Sequence, residues 1–234
     1  LACATSALRS AVNGDAVLDR IEAEAGVTAD AIDGLEEARL IFGAIRAAVL
    51  IDPGPALCFD LGGGSLEIMV GDSNGLLFAA SERLGVARLS AQFVSADPIP
   101  EGDRRRLHEH LVDVLGPIAV DTARFEPKMG VGSSGTLEDL AHMVAARRDE
   151  PVPRSLNQLT FSREELQPLH EELLASTSTQ RRRIDGLDAK RVDLIVAGSE
   201  LLATAMDLFE VQELTISEWA LREGIVLDAI RHHD

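Results

Sequence analysis

Three features of the sequence predict an α/β fold: short apolar runs ending in aspartate or glycine, longer segments with helical spacing between them, and glycine clusters at strand ends. Taken in order, residues 1–4 read as a strand end and Thr5-Ser6 as a polar turn. Residues 7–23 have helical spacing at Leu8, Val12, Val17 and Ile21, interrupted near Asn13-Gly14. Residues 27–32 are strand-like. Residues 35–50 form a helix marked by Leu35, Ala38, Leu40, Ile41, Ile45 and Val49, which Pro53-Gly54-Pro55 stops.

Strands are expected at 56–60, 65–70 and 76–84, then helices at 86–93 and 104–115. A short strand at 128–131 leads through Gly132-Ser133-Ser134-Gly135 into a helix at 136–146. Residues 147–155 are charged and carry prolines, as a surface loop does. Ser162 opens a helix whose first turn holds Glu164 and Glu165, which suits the helix dipole. A helix at 192–209, a strand at 213–216 and a helix at 220–230 complete the pattern.

Composition narrows the function. The 234 residues are 46% hydrophobic, enough for a packed core. No apolar run approaches the ~18 residues of a membrane span, and no basic segment leads an apolar one as in a signal peptide. Cys3 and Cys58 lie in strand-like segments without metal-ligand spacing and read as buried reduced thiols, consistent with a cytoplasmic protein. With 22 basic and 39 acidic residues, the net charge of −17 excludes a general nucleic-acid binder. An acidic chain can still hold phosphate, provided that backbone N–H groups, a few arginines and a divalent metal do the holding.

Two motifs meet that condition. In Asp60-Leu61-Gly62-Gly63-Gly64-Ser65-Leu66-Glu67, a strand ends in an aspartate, three glycines turn the chain, and a second strand returns with a glutamate. Glycines allow backbone N–H groups to converge on an anion. Two carboxylates facing such a loop suit Mg²⁺, which shares oxygen ligands with substrate phosphates. In Gly130-Val131-Gly132-Ser133-Ser134-Gly135-Thr136, a helix N-terminus offers unpaired N–H groups, with no lysine that would make it a Walker loop. A third segment, Asp33-Gly34-Leu35-Glu36-Glu37, is by itself ordinary helix capping.

The ordered series Ala4-Thr5-Ser6-Ala7-Leu8-Arg9, Glu36-Glu37-Ala38-Arg39-Leu40, Asp60 to Glu67, Arg83-Leu84-Gly85-Val86-Ala87-Arg88-Leu89, Gly132 to Thr136, the stretch Val192-Asp193-Leu194-Ile195-Val196-Ala197-Gly198 and Ser217-Glu218-Trp219-Ala220-Leu221-Arg222-Glu223-Gly224 resembles the exopolyphosphatase/guanosine pentaphosphate phosphatase family over nearly the whole chain. The resemblance implies the actin-like, ribonuclease-H-like fold, with a mixed sheet flanked by helices. It implies release of terminal phosphate from polyphosphate, or of the 5′ phosphate from guanosine pentaphosphate, in a cytoplasmic homodimer. It further implies Glu37 as the water-activating residue, with Glu36 the neighbouring alternative. Asp60 and Glu67 would bind Mg²⁺, and Gly62, Gly63, Gly64, Ser65 and Arg9 would bind phosphate. Gly132, Ser133, Ser134 and Gly135 would supply the second phosphate loop.

The family pattern also has an upstream Asp-x-Gly-Ser-Asn-Ser hairpin that these residues do not contain, so the first domain is expected to be incomplete. The expected division is 1–50 for the first-domain remnant and hinge helix, 51–218 for the second domain, and 219–234 for a helix packing back. Two other readings use the same residues: an ATP-dependent kinase of this fold, separable by ATP consumption with an acceptor, and a non-catalytic phosphate-binding fragment. Other residues are expected to be plain structure. His108 and His110 lie on a solvated helix face, Arg181-Arg182-Arg183 is a surface basic spot, and Trp219 is core. Leu221, Ile225 and Ala229 share the helix face expected to pack back.

Overall fold

The computed structural model describes residues 2–231; Leu1, the expected start of the first strand, and residues 232–234, including His232 and His233, lie outside the described residues. The elements in order are β1 (Cys3–Ala4), α1 (Ser6–Ser10), α2 (Gly14–Ala25), β2 (Asp30–Ala31), α3 (Gly34–Ala48), β3 (Ala56–Leu61), β4 (Leu66–Gly71) and β5 (Leu76–Glu82). They continue with α4 (Val86–Phe93), α5 (Glu101–Ala123), β6 (Met129–Ser133), α6 (Gly135–Ala145), β7 (Thr160–Ser162), α7 (Arg163–Ala175), α8 (Ser178–Arg181), α9 (Ile195–Leu208), β8 (Glu213–Ser217) and α10 (Leu221–Arg231). The strand expected over 27–32 shrinks to Asp30–Ala31, the two residues that align with Cys3 and Ala4. The short β7 and α8 are absent from the sequence reading because neither is long enough to show a period.

Six strands form one mixed sheet in the order β5-β4-β3-β6-β8-β7. β3, β6 and β8 run parallel, while β4, β5 and β7 are antiparallel to their neighbours. Alternation along β3 and β4 sends Leu57, Phe59, Leu61, Leu66, Ile68 and Val70 to one face, where α4, α5, α6, α7 and α9 contribute the rest of the larger core. Ala56, Cys58 and Met69 point to the other face, with Val131 from β6, and meet Ala38, Ile41, Phe42 and Ile45 of α3. α3 is therefore packed on this sheet.

Three expectations about single residues are corrected. Cys3 is exposed, on the outer face of the β1–β2 pair, whose next residue, Ala4, is buried; Cys58 is buried as expected. Arg181 is not a surface charge. Its guanidinium is buried, donates to the carbonyls of Val192 and Ser176, and pairs with Asp97, while Arg182 and Arg183 stay exposed. Trp219 is 41% exposed. Its backbone is tied to the Ser217 hydroxyl, which makes the turn from β8 into α10 and leaves the ring outside the core. His108 is half-exposed, as expected of a solvated face, although its Nδ1 also lies 3.1 Å from Glu200 Oε1.

α10 packs back on α3, with Leu221 against the smaller core. The closest approach falls at Gly224, where a Cβ would overlap the Leu40 carbonyl. Gly224→Ala is expected to cost about 1–3 kcal/mol by forcing the helices apart. Urea denaturation tests this, and an unchanged midpoint would show that the contact does not bear on stability.

Candidate active site

One end of the sheet carries a row of polar residues in cross-strand register. Ser81 of β5 lies opposite Glu67 of β4, Glu67 opposite Asp60 of β3, Asp60 opposite Ser133 of β6, and Ser133 opposite Ser217 of β8. One pleat earlier on the same face, the row is Ala79, Met69, Cys58 and Val131, ending in Thr215 on β8. From β5 to β6 the face thus turns from apolar to polar in a single step. α3 follows the change: Ile45, Ile41 and Glu37, four residues apart, form one stripe over these rows. Asp33 caps α3 by accepting from the N–H groups of Leu35 and Glu36 (2.9 and 2.8 Å), which fixes Glu37 in the first turn.

Three carboxylates meet there, and all are nearly buried. Glu37 is 6% exposed, Asp60 8% and Glu67 1%. Burial raises the pKa of Glu37, opposed by the hydrogen bond and charge of Arg9. Burial pushes Asp60 up to about 6, opposed by a 2.5 Å hydrogen bond from the Ser133 hydroxyl and assisted by the Glu37 charge. Burial pushes Glu67 up to about 8, with the charges of Glu37 and Asp60 adding to it against hydrogen bonds from Ser81 and Ser65. Among the described residues, Asp60 and Glu67 have serine donors but no Lys, Arg or His partner.

Among the described residues no cluster of three or more His, Cys, Asp or Glu side chains is arranged to hold a metal alone. The donor set still fits a hard divalent cation. Two buried carboxylates without a compensating charge are costly, and Mg²⁺ takes one or two carboxylates and completes its shell with water and phosphate oxygens.

The glycine hairpin borders the carboxylates. Gly62, Gly63, Gly64 and Ser65 line a cleft of about 740 Å³ together with Glu37 and the exposed side of α4. The carbonyls of Gly62 and Gly63 accept from the first N–H groups of α4, Val86 and Ala87, at 3.0 Å each. In a trans peptide the N–H points opposite to the preceding carbonyl, so the N–H groups of Gly63 and Gly64 face away from the α4 N-terminus. Gly85 makes this dock possible, because a Cβ there would overlap the backbone of Gly63 and Gly64.

Several expected site residues lie elsewhere. Glu36 turns outward into a bidentate pair with Arg39 (2.8 and 2.7 Å), so the helix phase excludes it from the cleft. Arg9 does not line the cleft; its Nη1 donates to Glu37 (3.0 Å) and to the Ile32 carbonyl (2.7 Å), so it braces the glutamate. Gly132 is buried between Leu214 and Leu137, and Ser133 is committed to Asp60, so neither faces a ligand. Ser134 and Gly135 remain at the start of α6. Ser134 has φ 101 and a buried hydroxyl without a partner, and the Arg191 guanidinium lies over Gly135. Ser81 is the supporting residue that the sequence reading missed. Its position opposite Glu67 is visible only in the strand register.

The Ppx/GppA phosphatase family matches residues 1–233. The chain belongs to that family. Exopolyphosphatase 1 of Mycobacterium leprae is 33% identical over 230 residues, covering 97% of this chain and 67% of that protein. Exopolyphosphatase 1 of Mycobacterium tuberculosis is 34% identical, with 97% and 66% covered. The chain thus spans about two thirds of the length of these relatives. The crystal structure of an exopolyphosphatase from Cytophaga hutchinsonii superposes with a TM-score of 0.92 at 31% identity, over 99% of this chain and 75% of that one. An Aquifex aeolicus family member, at 24% identity and a TM-score of 0.82, shares the fold. These neighbours establish the actin-like assignment of the mixed sheet.

The raised Glu67 pKa has a measurable consequence for this Ppx/GppA chain. A carboxyl whose folded pKa exceeds its unfolded value favours folding below the unfolded value and loses that contribution as pH rises through the folded one. Between 4.5 and about 8, the metal-free chain should lose stability as Glu67 ionises. Glu67→Gln should remove that part of the slope, on the order of 2–4 kcal/mol. Urea titrations of both proteins in EDTA across this range check it; parallel curves would mean that Glu67 ionises freely.

Proposed function

We propose that the chain hydrolyses inorganic polyphosphate from the end, with Glu37 as the general base. The observation that carries this reading is the meeting of Glu37, Asp60 and Glu67 beside a glycine hairpin that lines an open cleft. The printed names of the relatives, exopolyphosphatases, favour polyphosphate over guanosine pentaphosphate as the substrate.

The roles follow from the geometry. Gly63 and Gly64 offer N–H groups to a terminal phosphate. Glu37, held by Arg9, accepts a proton from a water as its oxygen bonds to phosphorus and the bond to the leaving phosphate breaks. Burial raises the Glu37 pKa, which makes it a better proton acceptor, and Arg9 opposes that shift by hydrogen bond and charge. Ser81 and Ser133 fix the Glu67 and Asp60 carboxylates in place. Those two residues would hold Mg²⁺, which supplies positive charge to phosphate oxygens that this acidic chain would otherwise repel. Ser134 and Gly135, at the α6 N-terminus, are the remaining candidates for a second phosphate loop.

Glu37→Gln keeps the size of the side chain and removes the base. Phosphate release from polyphosphate in magnesium should fall about 10²–10⁴-fold while polyphosphate binding persists. Glu36→Gln, whose residue faces solvent, should stay close to the parent protein. Full release by Glu37→Gln would end the assignment.

A further inference from the structure

The wall of the cleft next to the hairpin is built from α4, and none of the roles above uses its side chains. Its residues form a graded surface. Val86, Leu89 and Phe93 are buried, whereas Ala87, Arg88, Ala91 and Gln92 border the cleft. The two alanines leave the cleft wide, and Arg88 is the only basic side chain among its lining residues.

The Arg88 guanidinium is held at one corner and free at the other. Nε donates to the Gly64 carbonyl at 3.3 Å, a long bond that anchors the group against the hairpin. Its two terminal nitrogens have no hydrogen-bond or ion-pair partner among the described residues. In a chain of net charge −17, a half-buried guanidinium without a carboxylate is unusual. Arg9, Arg39, Arg104 and Arg181, by contrast, pair with Glu37, Glu36, Glu200 and Asp97. An open fork of donors suits a phosphate oxyanion.

The volume decides which phosphate. About 740 Å³ lies in the range that holds a ligand of many atoms, well beyond one orthophosphate. The terminal phosphate is assigned to the hairpin N–H groups and the carboxylates. Those N–H groups face away from α4, whereas Arg88 is held on the α4 side at the Gly64 carbonyl, so it reaches a different part of the ligand. Gln92, one turn further along α4, extends the same line with an amide.

We infer that Arg88, with Gln92 behind it, forms a subsite for the phosphate next to the one released, so that the cleft selects condensed phosphates over orthophosphate. This rests on the polyphosphate reading above. The Ala87 and Ala91 positions keep the path along α4 open.

The test is calorimetric titration of the 234-residue chain with tripolyphosphate and with orthophosphate, each in magnesium chloride. Arg88→Gln should weaken tripolyphosphate binding about tenfold and leave orthophosphate within about twofold, as expected for one charge-assisted contact. Arg88→Lys should recover part of the loss. Ala91→Glu, at an exposed position that tolerates a larger side chain, should impose the same selective loss by placing a negative charge in the path. Equal tripolyphosphate affinity in Arg88→Gln and the parent overturns the subsite. Equal weakening of both probes overturns it too, because a merely structural role for Arg88 predicts that result. A parent chain that takes up neither probe overturns the phosphate reading itself, a distinct outcome.

Discussion

The burial of three carboxylates in one low-dielectric corner governs this molecule. Burial raises the pKa of Glu37, Asp60 and Glu67 most, and the Glu37 charge adds to the shift of the other two. α3 packs over the sheet and limits the solvent that would relieve Asp60 and Glu67, while Glu37 borders the cleft. What makes the arrangement tolerable is a frame of neutral donors. Ser81, Ser65 and Ser133 point their hydroxyls at the two sheet carboxylates, and Arg9 alone brings a full charge, to Glu37. The frame orients the carboxylates and leaves their charge largely uncancelled, so a cation and a phosphate can complete it.

That frame depends on how two periodicities meet. A strand places every second residue on one face, and a helix brings every fourth near the same line. Cys58 and Met69 lie one pleat before Asp60 and Glu67, while Ile41 lies one turn after Glu37. The apolar pairs fix the helix on the sheet, and the same fixed spacing brings the acids together. Packing energy from the smaller core thus holds the carboxylates against their repulsion. The hairpin is secured separately, through the Gly62 and Gly63 carbonyls and the start of α4.

Much of this was legible in the sequence because strong local signals coincided. Asp60, three glycines and Glu67 form a strand–turn–strand pattern in which antiparallel pairing must bring the acids together. The helices and most strands showed their periods, including α4, read to its observed ends. What stayed hidden depended on partners distant in sequence. Glu36 and Glu37 are adjacent, and each begins an apolar stripe: Glu37 leads to Ile41, Glu36 to Leu40. Only α10, packed over Leu40 through Gly224, shows which stripe faces the sheet. The buried Arg181 looked like a surface charge because the carbonyls of Ser176 and Val192 that accept from it leave no trace in side-chain composition.

The net charge of −17 thus describes the exterior more than the cleft. Most arginines with recorded partners are spent on fixing the fold: Arg39 joins α3 to α10, Arg163 ties α7 to α9, and Arg148 braces β7 against α7. A chain this acidic has few cations to spare for a polyanion, and it places one of them, Arg88, where backbone N–H groups and carboxylates already define a direction. Recognition then depends on a few oriented donors along an open cleft, set beside carboxylates that are nearly buried.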